Sequence, residues 1–161
     1  MTIDEWERSV AAFWTAFEAA PSDADDVIEE LDELAAASPA TDGRADFERA
    51  CIRDSTGRTA DAVSFYDAGL AAGLDPIRRT RAWVQMASSE RALGHTDEAL
   101  RILSRTDPHA LGGAPGAVRA LALRDAGRHD EALRVALEAL IPHLPRYQHS
   151  IANYARLLTD G

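Results

Sequence analysis

The chain has 161 residues, which is enough for one domain with its own core and short for two. Hydrophobic residues make up 46%, which excludes a wholly disordered chain, and no run approaches the roughly 18 apolar residues of a membrane helix. The net charge of −10 arises in residues 1–42, which hold twelve acids and one base, so neither duplex nucleic acid nor a membrane is an expected partner.

The first ten residues and the cysteine content bear on location. The start, MTIDEWERSV, has no basic segment followed by an apolar one, so a secretory signal peptide is not expected. The single cysteine, Cys51, has no partner for an internal disulfide, which fits a reducing compartment. We therefore predict a cytoplasmic protein.

Two amphipathic helices are predicted in residues 1–39. The apolar residues of the first recur at helical spacing and are Ile3, Trp6, Val10, Phe13 and Phe17, with Trp14 beside them. Those of the second follow the segment PSDADD and are Val27, Ile28, Leu31, Leu34 and Ala35. The acidic run DADDVIEELDE lacks the glycine and the alternating oxygen ligands of a calcium loop, so a capped, solvated helix start is expected. The two helices together are either an N-terminal cap or a degenerate fourth repeat.

A motif then occurs three times, around Gly57, Gly94 and Gly127. Its clearest copies read GHTDEALRIL from Gly94 and GRHDEALRVA from Gly127. An alanine stands seven residues before each glycine and another five residues after it, and these pairs are Ala50 and Ala62, Ala87 and Ala99, Ala120 and Ala132. The glycines lie 37 and 33 residues apart, which is the period of a helical repeat.

Each part of the motif has a physical reason. The glycine ends a first helix, because a left-handed residue costs least there. Thr59 and Thr96 are predicted to cap the second helix. The alanines are small enough for two antiparallel helices to cross closely. Such a hairpin cannot bury its apolar face alone, so it stacks on its neighbours.

The second copy, WVQMASSERALGHTDEAL, resembles the tetratricopeptide repeat, because Trp83, Met86 and Ala87 keep the spacing of its W-x-x-L-G and Gly94 and Ala99 follow. The wider pattern, with YDAGLAAGL and RYQHSIANYARLL, is similar to a bacterial family of short tetratricopeptide proteins known as group five, over roughly residues 43–158. The resemblance implies an all-α solenoid of antiparallel helix hairpins that binds proteins or peptides. Other copies depart from the repeat, with Asp46 and Gly116 at the tryptophan position and Gly69 and Thr106 at a second-helix alanine.

The last third of the chain completes the domain. The segment LGGAPG at residues 111–116 follows no strand and lacks the ending of a phosphate loop, so we predict an interhelical linker. A final helix, opened by Pro145, carries Tyr147, Ile151, Tyr154 and Leu158 and is predicted to cap the array. The prediction is about nine helices and no strands in one domain, made of an acidic helix pair (1–39), three degenerate repeats (40–143) and a capping helix (144–161).

No motif indicates catalysis, a cofactor or a metal. The five histidines show neither an H-E-x-x-H pattern nor a pairing with cysteine, so they are interpreted as surface residues. Cys51 is interpreted as a small packed residue. No Ser-His-Asp order or pair of carboxylates suggests a reaction. We predict a protein that is not an enzyme and has no cofactor and no metal site.

One surface is a candidate for partner binding. In tetratricopeptide arrays the first helices line a concave, peptide-binding face, and this is what the resemblance implies here. The first helix of the second copy presents polar residues within one wedge, opposite Ala82, Trp83, Met86 and Leu93, and Arg124 is equivalent to Arg91 one repeat on. The candidate residues are Arg78, Arg81, Gln85, Ser88, Arg91 and Arg124. A merely solvated arginine face is the alternative interpretation.

The charge of this surface indicates its ligand. Arginines near a helix N-terminus oppose the helix dipole, so local stability does not explain Arg78 and Arg81. Guanidinium groups match carboxylates, so we predict an acidic or C-terminal segment of a protein or peptide. Phe47 and Cys51 replace the Lys and Asn of the family's carboxylate clamp, so that specificity is not expected.

The leading functional prediction is therefore a protein- or peptide-binding adaptor. The first alternative is a self-associating scaffold, a homo-oligomer in which the arginine and acidic surfaces of different copies meet. The second is a regulatory domain that binds a small molecule in the groove. The sequence leaves these alternatives open.

Overall fold

The computed structural model describes residues 1–19 and 23–160, so Pro21 and Ser22 of the segment PSDADD lie outside the described residues. Within these ranges the protein has nine α-helices, one 3₁₀ helix (Ile141–His143) and no strand. The α-helices are α1 (Ile3–Ala19), α2 (Ala24–Ala36), α3 (Arg44–Ser55), α4 (Thr59–Ala72), α5 (Pro76–Ala92), α6 (Thr96–Leu103), α7 (Ala110–Asp125), α8 (His129–Leu140) and α9 (Gln148–Leu157). None of them is both long enough and apolar enough to cross a membrane.

The chain forms two compact units, Met1–Ala82 and Trp83–Gly161, with the boundary inside α5. In the first unit, α1 and α2 pack together and α2 packs on the α3–α4 hairpin. In the second unit, the α7–α8 hairpin packs between α6 and α9. Each unit has its own buried apolar side chains.

The core of the first unit is formed by the two predicted apolar stripes. Phe13, Val27, Leu31 and Ile52 are buried in one cluster. Trp6 is fully buried, and its Nε1 donates to the Leu34 carbonyl at 2.7 Å. This bond satisfies the polar atom of a buried tryptophan and holds α1 against the end of α2.

The start of α2 is capped as expected for a solvated acidic helix N-terminus. The Asp23 side chain accepts a hydrogen bond from the Asp25 backbone N–H at 2.9 Å. Asp25 and Asp26 lie in the first turn and are exposed. Negative charge at this end of the helix is favoured by its dipole.

The three anchor glycines end α3, α5 and α7 in the same way. Gly57, Gly94 and Gly127 have φ of 80°, 86° and 75°. Each glycine N–H donates to the carbonyl three residues back, and the next N–H donates to the carbonyl five residues back. This is the Schellman arrangement, which satisfies the last carbonyls of a helix and favours glycine at the left-handed position.

The predicted caps of the second helices are wrong by one residue. The first intrahelical acceptors are the carbonyls of Arg58 and His95, which receive the Ala62 and Ala99 N–H groups at 3.0 Å each. Thr59 and Thr96 are therefore the first helical residues and make no capping bond. The turn is one residue shorter than predicted. The N–H of the residue after the glycine closes the first helix, and the carbonyl of the same residue accepts the first hydrogen bond of the second helix.

The motif alanines lie where predicted. All six are buried, and Ala50, Ala62, Ala87 and Ala99 have no exposed surface. A further close approach joins α3 and α4, because an added Cβ on Gly43 would lie 2.2 Å from the Gly69 carbonyl oxygen. At Gly69, a departure from the repeat pattern, an added Cβ would lie 3.1 Å from the Gly43 carbonyl oxygen, so a glycine fits this contact best.

The linker and the final helix differ in part from expectation. Leu111, Gly112 and Gly113 have left-handed backbone, as suits a linker, whereas residues 114–116 already belong to the straight part of α7. In α9, Ala155 is buried and Ile151 is half-buried, as is Leu158 directly after the helix. Tyr147 and Tyr154 are exposed, so the expectation that they pack in the cap is wrong. The helix turns its small residue, Ala155, inward, which leaves the tyrosines beside the contact.

Candidate interaction site

The N-terminus of α5 is built by Asp75 and Pro76. The Asp75 carboxylate accepts hydrogen bonds from the backbone N–H groups of Ile77 and Arg78 at 2.9 and 3.0 Å, and so caps the helix. Pro76 suits the first helical position because no N–H is needed there. Arg78 Nη1 also donates to Asp75 Oδ2 at 2.9 Å. The expectation that Arg78 has no part in local stability is therefore wrong, because its charge is paired with the capping acid.

Glu7 of α1 joins two arginines of the first unit. Its carboxylate lies 2.5 Å from Arg78 Nη2 and 2.6 Å from Arg44 Nη1. Arg44 also pairs with Asp42, and this hydrogen-bonded partner lowers the pKa of the Asp42 carboxyl to about 2. Asp42, Arg44, Glu7, Arg78 and Asp75 thus form one chain of ion pairs, which we call the N-terminal ion network.

A buried acid lies next to this network. Glu48 of α3 is 6% exposed, and its Oε2 accepts a hydrogen bond from Trp14 Nε1 at 2.7 Å. Burial raises the pKa of the Glu48 carboxyl, while the Trp14 bond and the charges of Arg78 and Arg81 act in the opposite direction. The acid shares the apolar side of α3 with Ile52, four residues on, which is the sequence signal that would have revealed its burial.

Arg81 differs from Arg78 in its surroundings. Its guanidinium carbon lies 5.0 Å from the centre of the Phe47 ring, which is a cation–π distance. Phe47 is fully buried at the side of α3, whereas Arg81 is exposed. Among residues 1–19 and 23–160, no carboxylate forms an ion pair with Arg81. Its donor groups are therefore accessible to a ligand.

In the second unit the candidate residues meet at Asp125, which sequence reasoning missed. Arg91 Nη1 lies 2.7 Å from Asp125 Oδ2, and Arg124 Nη1 lies 3.0 Å from Asp125 Oδ1. These hydrogen bonds, that of Arg91 first, lower the pKa of the Asp125 carboxyl. Arg124 remains largely exposed, with 72% of its side chain accessible.

The predicted polar face of α5 is thus only partly exposed to solvent. Gln85 and Ser88 are half-buried, like Arg78 and Arg91, and only Arg81 of the five is exposed. On the opposite side Ala82 and Met86 are buried as predicted, but Leu93 is 39% exposed, because it follows the last residue of the helix. The structure brings Arg78 next to Arg81 in the first unit, and Arg91 next to Arg124 in the second.

Residues 43–158 match a family model described as a tetratricopeptide repeat, of the group-five type. The chain belongs to this tetratricopeptide repeat family. A search of curated proteins and a search of solved structures each gave no match.

Membership confirms the predicted fold class for this tetratricopeptide repeat protein. The described residues are all-helical, and α3 with α4 and α7 with α8 form the helix hairpins that the motif predicts. Tetratricopeptide repeats bind proteins or peptides and are typically scaffolds without catalytic activity. The family therefore suggests protein–protein interaction as the general function.

Proposed function

We propose that this chain is a non-enzymatic cytoplasmic adaptor that binds an acidic segment of a protein or peptide. The observation that carries the proposal is Arg81, an exposed guanidinium held over the buried Phe47 ring without an ion pair among the described residues. An arginine positioned by an aromatic face keeps its hydrogen-bond donors for a carboxylate. In the proposed complex, Arg81 donates hydrogen bonds to a carboxylate of the bound segment.

The remaining candidate arginines contribute less directly. Arg78 already pairs with Glu7 and Asp75, and Arg91 already pairs with Asp125. An acidic ligand has to compete with these partners, so each such contact adds little to affinity. Arg124 is the exposed member of the second pair and is better placed to bind. Binding should therefore weaken with added salt.

The test in the native setting reverses charge on the proposed surface. Arg81→Glu together with Arg124→Glu should abolish capture of partners from a lysate of the native host with little change in melting temperature, because both side chains are exposed. Arg105→Glu is the matched control, because Arg105 is exposed in another turn and lies outside the candidate residues. Retention of every partner by the double variant would show that the arginine surface is only solvated.

A defined probe tests the chemistry directly. Fluorescence anisotropy with a labelled peptide of five glutamates should show binding that a five-glutamine peptide lacks. Amidating the C-terminus of the acidic peptide separates recognition of acidic side chains from recognition of a terminal carboxylate. Arg81→Gln should weaken binding about tenfold, because a hydrogen bond to a charged group typically contributes about 1.5–3 kcal/mol. Equal binding of both peptides would exclude an acidic ligand.

Self-association is the second candidate function. Large apolar side chains are exposed on the second unit, and these are Leu93, Leu111, Leu121, Leu133, Leu140, Tyr147, Tyr154 and Leu157. Exposed apolar surface of this kind is typical of interaction sites. Light scattering separates the two functions, because an adaptor without its ligand should have the mass of the 17.4 kDa chain and a scaffold should not.

A further inference from the structure

A cleft of about 310 Å³ lies in the second unit, and its lining includes none of the candidate arginines. We call it the C-terminal cleft. Its polar lining includes Arg119, Glu131, Arg134 and Glu138, and its apolar lining includes Pro108 and Val135. The first of these side chains comes from α7 and the next three from α8.

The acids of the C-terminal cleft are already neutralised. Glu131 lies 2.5 Å from Arg128 Nη2, and the resulting hydrogen bond lowers the pKa of the Glu131 carboxyl. Glu138 lies 2.9 Å from Arg134 Nε. In each pair the two residues are about one helical turn apart, at the start of α8 or within it, so the helix holds the two side chains together.

Arg119 has no such partner. None of the ion pairs within the described ranges includes it, and its Nε, like those of Arg78 and Arg91, is buried without a hydrogen-bond partner. The cleft therefore carries one positive charge that no acid of its lining pairs with.

We propose that the C-terminal cleft binds a small monocarboxylate with a short apolar body, held by Arg119. The guanidinium supplies forked donors for the carboxylate, and Pro108 and Val135 contact the apolar part. The volume is at the lower end of ligand pockets, which suits a small molecule. Phosphate has no apolar body for Pro108 and Val135 to contact, so the site favours a carboxylate with an apolar chain over phosphate.

Sodium hexanoate is the probe, and hexanamide is its neutral counterpart. Titration followed by backbone amide NMR should show saturable shifts in α7 and α8 with hexanoate, and none with hexanamide or inorganic phosphate. Equal responses to hexanoate and hexanamide would overturn the proposal, as would stronger binding of phosphate. Absence of saturable shifts at millimolar hexanoate would also overturn it.

Arg119→Gln tests the assigned residue. It should weaken hexanoate binding about tenfold or more, because a charge-assisted hydrogen bond typically contributes that much, and Arg119→Lys should retain part of the affinity. Arg146→Gln is the control, since Arg146 is exposed and outside the lining. Unchanged binding by Arg119→Gln would refute the assignment. The comparison of wild-type protein with hexanoate and hexanamide holds even if that variant fails to fold.

The source of the carboxylate is decided by a second pair of probes. Acetylated dialanine with a free C-terminus represents a peptide end, and its amide is the control. Binding of the free acid in preference to hexanoate assigns the cleft to peptide ends, and the reverse assigns it to small metabolites. The C-terminal cleft shares no residue with Arg81, Arg91 and Arg124, so failure here is separate from failure of the adaptor function.

Discussion

Replacement of Ala99 by leucine tests whether the motif alanines lie at tight helix crossings. Ala99 has no exposed surface and lies in α6, five residues after the turn glycine. A leucine adds three carbons, whose burial would stabilise the protein by roughly 2.5 kcal/mol if space existed. Close packing at the crossing leaves no such space, so overpacking should instead cost about 1–3 kcal/mol.

The expected loss is measurable by thermal unfolding. For a chain of this size each 1 kcal/mol lowers the melting temperature by roughly 2–4 °C, so Ala99→Leu should lower it by about 2–12 °C. Ala62→Leu in α4 should behave alike, because Ala62 is equally buried. Ala68→Leu in the same helix is the control, since Ala68 is exposed and leucine and alanine have similar helix propensities.

The pattern across the three variants decides the argument. Loss at Ala99 and Ala62 with no loss at Ala68 supports a packed crossing. A melting temperature of Ala99→Leu equal to that of the unchanged protein would refute it. Equal losses at all three positions would show that leucine disturbs the helices themselves.

Three further predictions concern titration and the last helix. Glu48→Gln keeps an acceptor for Trp14 and should raise the free energy of unfolding at neutral pH. The pKa of Glu48 is raised by burial, so the unchanged protein loses stability as pH rises above the ordinary value of 4.5, and the glutamine variant does not. Urea unfolding at several pH values measures this difference. Asp42→Asn should lower that free energy by about 1 kcal/mol at pH 7, discounted for a side chain 39% exposed, with the difference lost as pH falls from 3.8 to 2. Ile151→Ala should destabilise by roughly 1 kcal/mol or more in thermal unfolding, whereas Tyr154→Ala should change stability by about 0.5 kcal/mol or less.

The features predicted correctly from sequence are those set by neighbouring residues. Gly57, Gly94 and Gly127 end their helices because a left-handed residue is needed at that point. The buried alanines follow from helical spacing on either side of the same turn. The residue five positions before Arg58, His95 or Arg128 accepts the closing hydrogen bond of the turn through its backbone carbonyl, which any residue type provides.

The features that sequence reasoning missed depend on which distant residues meet. Glu7 and Arg78 are 71 positions apart, and no periodicity specifies that their side chains touch. Asp125 is next to Arg124 in sequence, but its contact with Arg91 follows from the packing of the second unit. The three-part division of the chain stays a prediction.

The structure changes the expected role of charge on α5. Sequence alone makes Arg78 and Arg81 equivalent, since both lie in the first two turns of the same helix. Packing separates them, because Glu7 and Asp75 bind the two Nη groups of Arg78 while a neutral ring, Phe47, supports Arg81. An ion pair uses hydrogen-bond donors, whereas a cation–π contact uses only the face of the guanidinium. For this reason Arg81 can hold its position and still bind a carboxylate, and Arg78 has to give up an existing partner to do so.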